Sequence, residues 1–326
     1  MKKYNVAVCG ATGLVGRTML EVLEEQKFPV NELYPIASKK SAGKKLPFQG
    51  RDWTVTELTE DSFNRDIDIA LFSCGATLSK KFAPIAAEKG ILVIDNSSAW
   101  RMTEGIPLIV PEVNPEDFRM PGIIANPNCS TIQCMSALKA LKDLYGLKRV
   151  VYSTYQACAG AGMKGLRDLK NGTTETFDYP ITRNILVRID DFLDNGYTKE
   201  EMKMVNESRK ILHEPDLPVT ATAARVPVDY AHCVSVNVEL KKDFDLDEVR
   251  DAFRKMPGLI VKDDPQNLQY PMPVDAKGRD EIFVGRIRRD FSQPNTLNMW
   301  IVADNVRKGA ATNSVQIAQL ALKQIK

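Results

Sequence analysis

Along the first 130 residues, short apolar runs alternate with stretches where apolar residues recur every three or four positions. "YNVAVCG" (4–10) is continuously apolar, like a buried strand, and "LVGRTMLEVLEEQ" (14–26) has the spacing of an amphipathic helix. Further strands are expected over 32–38, 66–75, 91–97 and 122–127, with a helix over 80–89 between two of them. Strands alternating with helices predict a parallel, doubly wound α/β sheet. A helix at about 130–144 ends this region, and the texture then changes. Strands expected over 149–157, 218–228, 232–240 and 296–305 are richer in β-branched residues. The alternation in "CVSVNVEL" (233–240) predicts a sheet with one covered face, hence a second, α+β domain. The last stretch, 313–325, has helical periodicity and is expected to pack back on the first domain. There is no internal repeat and no low-complexity segment.

Composition narrows the class. A chain of 326 residues suits about two domains. Its 44% hydrophobic and 26% charged residues are ordinary for a globular protein. A net charge of +2 gives no reason to expect a nucleic acid or an anionic membrane as partner. No apolar stretch approaches the ~20 residues that span a bilayer. The opening "MKKYN" runs straight into a strand without a signal-peptide core, so the expected location is cytoplasmic. Six cysteines are then expected as free thiols. With two histidines and no C-x-x-C pair, no metal site is expected.

Candidate chemistry begins at "GATGLVG" (10–16), placed between the first strand and the first helix. Gly13 would let the backbone approach a pyrophosphate at the helix N-terminus, where unpaired N–H groups and the dipole favour an anion. The spacing G-x-x-G-x-x-G differs from the G-x-G-x-x-G fingerprint, and placement carries the reading. An NAD-binding chain places an acid at the end of the next strand, roughly 20 residues on, to bond the ribose. Here "ASKKSAGKK" (37–45) offers Ser38, Lys39, Lys40 and Ser41 instead. Hydroxyls and ammonium groups suit a 2′-phosphate, so NADP is expected, although four lysines in nine residues also describe a solvated basic loop.

The second candidate is Cys129 in "ANPNCSTIQCMSAL" (125–138). It follows a strand and opens a helix, where the dipole stabilises a thiolate. Asn128, Ser130 and Thr131 offer donors at that corner, and Pro127 disfavours helix at Asn126. A free cysteine is most often a small buried apolar residue. Cys134 inside the helix, and Cys9 and Cys74 within apolar strands, fit that description, whereas Cys129 does not.

Together these residues resemble aspartate-semialdehyde dehydrogenase over nearly the whole chain, most closely its Gram-positive bacterial branch. The features are "GATGLVG", "DNSSAWR" (95–101), "PEVN" (111–114), "NPNCSTIQ" (126–133), "STYQACAGAGM" (153–163), "EEMKM" (200–204), "ARVPVDYAHCVSV" (224–236), "DEIFVGRIRRD" (280–290) and "ADNVRKGAATNSVQIA" (303–318). The resemblance implies a Rossmann-type NADP-binding domain over 1–128, completed by a C-terminal helix within 306–326. It implies a catalytic and dimerisation domain of the glyceraldehyde-3-phosphate dehydrogenase-like type over 129–305. The implied reaction is reversible conversion of aspartate semialdehyde and phosphate to aspartyl phosphate by a homodimer. By family position, Cys129 is the nucleophile that carries the acyl-thioester, Gln156 orients the carbonyl and His232 is the acid/base. Arg225 takes the substrate carboxylate, Glu200 its amino group, Arg101 and Lys203 the phosphate, with Asn128 beside them. Cofactor contacts fall on Gly10, Thr12, Gly13, Leu14, Val15, Ser38, Lys40, Ser41, Ala159, Gly160 and Asn305.

The chemistry agrees with those assignments. A thioester needs an activated thiol, and histidine suits proton transfer near neutrality. A carboxylate calls for a guanidinium fork, and a mobile phosphate for two cations. Plainer readings stand beside them: Arg101 as a loop cap, Glu200 and Lys203 as an exposed i,i+3 pair, His232 as half-exposed at a strand start. The chain departs from the family at Ala159, where serine is frequent, and in the shortened region 164–195, which bears on the dimer interface. Two other functions fit parts of the pattern. An N-acetylglutamyl-phosphate reductase would not need Glu200 for a free amine. A non-catalytic NADP-binding redox sensor switching through Cys129 would need neither Arg225 nor Lys203.

Overall fold

The structure, a computed structural model, describes residues 2–324. Met1, Ile325 and Lys326 lie outside the described residues, and with them the end of the helix expected over 313–325. The chain forms two compact units, one running to Pro127 and resuming at Ala310, the other Asn128–Gly309.

In the first unit, β1 (Tyr4–Cys9), α1 (Leu14–Glu25), β2 (Val30–Ala37), the hairpin β3 (Lys45–Phe48) and β4 (Arg51–Thr54), and β5 (Thr56–Glu57) lead into β6 (Ile69–Phe72). Then come α2 (Ala76–Glu88), β7 (Leu92–Asp95) and β8 (Ile123–Ala125). Strand order is β5-β2-β1-β6-β7-β8, every pair parallel. Side chains alternate across a strand, so β1 feeds two cores. Tyr4, Val6 and Val8 join α1 residues such as Met19 and Leu23 on one face, while Ala7 and Cys9 join Phe82, Ala83 and Ala86 of α2 on the other. The sheet is doubly wound, as the strand–helix alternation predicted.

The second unit opens with α3 (Cys129–Tyr145), β9 (Leu147–Gln156), α4 (Gly162–Asn171), α5 (Lys199–Ile211) and β10 (Val219–Arg225). It continues through β11 (His232–Leu240), α6 (Leu246–Lys255), β12 (Leu259–Val261), the single turn α7 (Pro273–Ala276), β13 (Ile282–Arg289) and β14 (Thr296–Ala303). Its mixed sheet has the order β10-β9-β11-β14-β13-β12. The inner strands β9, β11 and β14 pair antiparallel, and the edges β10 and β12 pair parallel. From Ala310 the chain belongs to the first unit again, where α8 (Thr312–Gln324) packs Val315, Ile317, Ala318 and Ala321 into the β1–α1 core.

Two expectations need correction. The run 66–75 is not all strand: β6 stops at Phe72, and Cys74 lies beyond it in a turn, half-buried rather than within an apolar strand. Chain geometry ends the strand, because the backbone must turn at Gly75, whose φ is +84°, before α2. The helix expected over 80–89 starts a full turn earlier, at Ala76.

Candidate active site

The corner after β8 is built around Asn128. It is extended at the helix entry, and its Oδ1 accepts from the N–H groups of Ser130 (3.0 Å) and Thr131 (3.3 Å), two of the donors that the start of α3 leaves open. Its Nδ2 donates to Glu200 Oε1 at 2.8 Å and its backbone N–H to Glu207 Oε2 at 2.6 Å. Glu200 and Glu207, seven residues apart, share one face of α5 and grip the same residue. Cys129 is therefore held as the first residue of α3, where the dipole favours an anion. Backbone also crowds it: a Cβ on Gly309 would lie 2.8 Å from the Cys129 Cβ, so only glycine fits there.

Glu200 is a hub. Its Oε1 also accepts from Gln156 Nε2 (3.1 Å), and its Oε2 from Lys203 Nζ (3.0 Å), which in turn donates to Asp190 (2.9 Å). Burial alone would raise the Glu200 pKa, but the Lys203 charge and the bonds from Asn128, Lys203 and Gln156 outweigh it and hold it at about 2. This corrects the reading as an exposed pair: Glu200 is 5% exposed.

Arg225, at the end of β10, is buried. Its Nη1 donates to the Ala157 carbonyl (2.8 Å), and its guanidinium lies 5.7 Å from the Phe177 ring centre. Burial lowers its pKa, against the attraction of Glu200, Cys129 and Cys158. His232 is not half-exposed but fully buried. Its Nδ1 accepts from the Ala157 N–H (2.9 Å), and its Nε2 has no hydrogen-bond partner among the described residues. Asn305 Oδ1 holds the N–H of Ala231 (3.1 Å), one residue before His232. Ala159 is buried and donates from its backbone to Asp229 (2.9 Å). A Cβ on Gly160 would lie 2.7 Å from Arg225 Nη1 and 3.3 Å from His232 Nε2, so these groups line one small space.

The second unit thus brings together Cys129, Asn128, Gln156, Glu200, Lys203, Arg225, His232, Gly160 and, behind them, Asn305. Sequence reasoning missed Glu207 and Gln133. Gln133, one helical turn after Cys129, donates to the backbone carbonyls of His232 (3.2 Å) and Ile301 (3.3 Å). The signal available was spacing, i+4 from Cys129 and i+7 from Glu200.

The remaining expected residues belong to the first unit. Gly13 caps α1 without a side-chain bond, leaving the first-turn N–H groups around Leu14 and Val15 to an anion. Gly10 has φ +89°, and a Cβ there would lie 2.3 Å from the Ser73 carbonyl oxygen. This cradle fits a dinucleotide pyrophosphate. Thr12 Oγ1 donates to Ser41 Oγ (3.3 Å), tying the turn to the segment after β2, where Ser38, Lys39 and Lys40 are exposed. Arg101 spends Nε on the Asn126 carbonyl (3.0 Å) and Nη2 on the Asn96 carbonyl (2.8 Å), bonds that a loop-capping arginine makes. Among the described residues no group of three or more His, Cys, Asp or Glu is placed to hold a metal, and no helix is long and apolar enough to cross a membrane.

Comparison with known proteins gives a consistent result. Residues 5–120 match the model of a semialdehyde dehydrogenase NAD binding domain, and residues 138–308 that of a semialdehyde dehydrogenase dimerisation domain. The aspartate-semialdehyde dehydrogenase of Aquifex aeolicus is 53% identical over 335 residues, covering 98% of each chain. That of Bacillus subtilis is 45% identical over 340 residues, again 98% of each. The crystal structure of aspartate semialdehyde dehydrogenase II from Vibrio cholerae, complexed with ASA, superposes with a TM-score of 0.96 at 46% identity, covering 100% of both chains.

Proposed function

This chain belongs to the aspartate-semialdehyde dehydrogenase family of oxidoreductases, and from that premise we propose that it interconverts L-aspartate-4-semialdehyde and L-aspartyl-4-phosphate with NADP and phosphate, through a thioester on Cys129. In the biosynthetic direction it reduces the acyl phosphate and serves the synthesis of lysine, threonine, methionine and diaminopimelate in the cytoplasm. The observation that carries the reading is the grouping of a helix-start thiol with a buried carboxylate and a buried guanidinium, one for each charged end of an α-amino acid.

In this reaction Arg225 holds the substrate α-carboxylate and Glu200 the ammonium group, which fixes the distal carbonyl over Cys129. Gln156, bonded to Glu200, orients that carbonyl, and Asn128 keeps the corner in place. The Cys129 thiolate attacks the carbonyl carbon. Lys203 and Arg101 are the phosphate ligands that the family resemblance implies. The first unit holds the dinucleotide at Gly10–Val15, with Thr12 and Ser41 beside it, and Ala159, Gly160 and Asn305 serve the nicotinamide side. That cofactor, when bound, supplies the hydride chemistry. The buried Glu200 carboxylate favours this reading over N-acetylglutamyl-phosphate reduction, because a substrate ammonium group adds a second cation beside Lys203, whereas a neutral acetamido group adds none. The test is formation of NADPH from aspartate semialdehyde with and without phosphate, with N-acetylglutamate semialdehyde as the control substrate. Phosphate-independent turnover, or a preference for the acetylated substrate, removes the assignment.

The cofactor preference rests on Ser38, Lys40 and Ser41 following β2 with no acid among them. Lys40→Glu is expected to weaken NADP by roughly tenfold or more and NAD far less, because the new carboxylate faces only the 2′-phosphate. Equal losses for both cofactors would reduce Lys40 to a member of a basic loop. The second unit is proposed to form a homodimer. Exposed Tyr179, Ile185, Val187 and Phe192 crowd the segment between α4 and α5, and soluble monomers seldom show so much apolar surface together. Light scattering is expected to give twice the chain mass for the native protein and the monomer mass for a Val187→Asp, Phe192→Asp variant. A native monomer would refute the proposal.

A further inference from the structure

We infer that Asn313, at the start of α8, is a positioning residue for Arg101, acting through a chain of buried amides that sets where the guanidinium lies and which way its plane faces. This adds to the phosphate role proposed for Arg101, on which it rests, the residue that holds the arginine in place. Three stretches far apart in sequence meet here within the first unit: residues 95–101, the end of β8 and the opening of α8.

Arg101 donates from Nε to the Asn126 carbonyl (3.0 Å) and from Nη2 to the Asn96 carbonyl (2.8 Å). Two acceptors along one edge of a planar group fix its rotation as well as its position. Both carbonyls belong to asparagines whose side chains bond each other, Asn126 Nδ2 donating to Asn96 Oδ1 at 2.9 Å. Asn313 Nδ2 donates in turn to Asn126 Oδ1 (2.6 Å), and Asn96 Nδ2 to the Phe72 carbonyl (3.2 Å). Backbone forces the direction of this chain at both ends. Asn313 Nδ2 also donates to the Ile109 carbonyl (3.0 Å), which can only accept, as the Phe72 carbonyl can. Each amide between them must therefore present its oxygen toward α8 and its nitrogen toward β6. Ser314 Oγ lies 3.0 Å from the same Asn96 Oδ1. Asn126, Asn313 and Ser314 have no exposed surface, and a buried amide that loses its partner keeps the cost of its desolvation.

An asparagine side chain is short, so holding its amide holds its Cα and the carbonyl of the same residue. α8, returning 187 residues after Asn126, thus fixes the two carbonyls that fix Arg101. Phosphate recognition by a guanidinium is directional, with paired N–H···O bonds in one plane, so a tilt of that plane costs affinity although the charge stays. A lysine in place of Arg101 would have no plane to set. The amides carry no charge, so breaking their chain alters geometry and leaves the net charge of the site as it was.

The experiment is a double-mutant cycle on the full chain, read as the KM for inorganic phosphate during semialdehyde oxidation. Asn313→Ala should raise that KM roughly tenfold, the size of one good hydrogen bond, while the KM values for aspartate semialdehyde and NADP move by less than about twofold. Arg101→Lys should raise it at least as much. In the Arg101→Lys background, Asn313→Ala should add less than about twofold, because it acts through a guanidinium that is no longer there. An unchanged phosphate KM, equal increases in all three KM values, or effects that multiply in the double variant overturn the inference. If Asn313→Ala does not fold, Ser314→Ala is read in the same way, with roughly a threefold rise that Arg101→Lys abolishes. Failure of Ser314→Ala to move the phosphate KM overturns the inference equally. Phosphate affinity can also be read without turnover, from 31P line broadening of inorganic phosphate. An enzyme inactive on aspartate semialdehyde would sink the proposed function, and the cycle is then run on that affinity. A phosphate affinity that Arg101→Lys leaves unchanged would remove the phosphate role of Arg101 and the inference with it.

Discussion

Cys129→Ser is expected to lose four or more orders of magnitude in kcat, roughly the scale on which removal of a catalytic nucleophile is felt. The substitution is nearly isosteric and keeps the bond pattern of Asn128, so the corner stands and only the nucleophile changes. A serine hydroxyl is almost wholly protonated near neutrality, whereas a thiol ionises far more readily and is intrinsically the stronger nucleophile. The other five cysteines cannot take over. Burial is the largest cause in raising every one of their pKa values: Cys9 and Cys134 far upward, Cys74 and Cys233 to about 12, Cys158 to about 11. Iodoacetamide at neutral pH should therefore label one fast-reacting thiol. Intact-mass measurement should find an acyl adduct on the native protein after mixing with substrate, and none on Cys129→Ser. Turnover by Cys129→Ala at more than a trace level would end the thioester mechanism.

Arg225→Lys carries the next largest effect, about 2 kcal/mol or more of kcat/KM, the range for a charge-assisted hydrogen bond. That is roughly 30-fold at the usual 1.4 kcal/mol per decade. Arg225 already gives Nη1 to the Ala157 carbonyl, and its remaining N–H groups lie in the plane of the same guanidinium. A lysine keeps the charge, but it can neither make the planar fork to a carboxylate nor hold Ala157 in the same way. Because Ala157 also supplies the N–H that orients His232, the loss is expected in kcat as well as in KM. Initial-rate measurements over a range of semialdehyde concentration separate the two. Efficiency near that of the native enzyme would remove Arg225 from substrate binding.

Some of this was legible in residue order because it is local. The parallel sheet of the first unit followed from apolar runs alternating with helical periodicity. The glycine turn and the Asn128–Cys129 helix start are signals that span three or four residues, within which backbone conformation is set by neighbours in the chain. The β3–β4 hairpin and the edge strand β12 went unread, since short or charged strands carry little periodicity until they find a partner.

What only tertiary structure decided is which polar groups are buried and against what. Spacing shows that Glu200 and Lys203 meet on α5, but not that this face turns inward, where Asn128 and Gln156 arrive from 72 and 44 residues away. His232 opens an alternating strand whose sequence permits exposure. Its burial is set by the fold around it, and its Nδ1 meets the Ala157 N–H just after β9, 75 residues earlier. Glu207 and Gln133 looked like ordinary helix residues for the same reason. Periodicity records the shape of one element, whereas the charge state and the hydrogen bonds of a buried group are set by partners that only the folded chain brings within 3 Å or so.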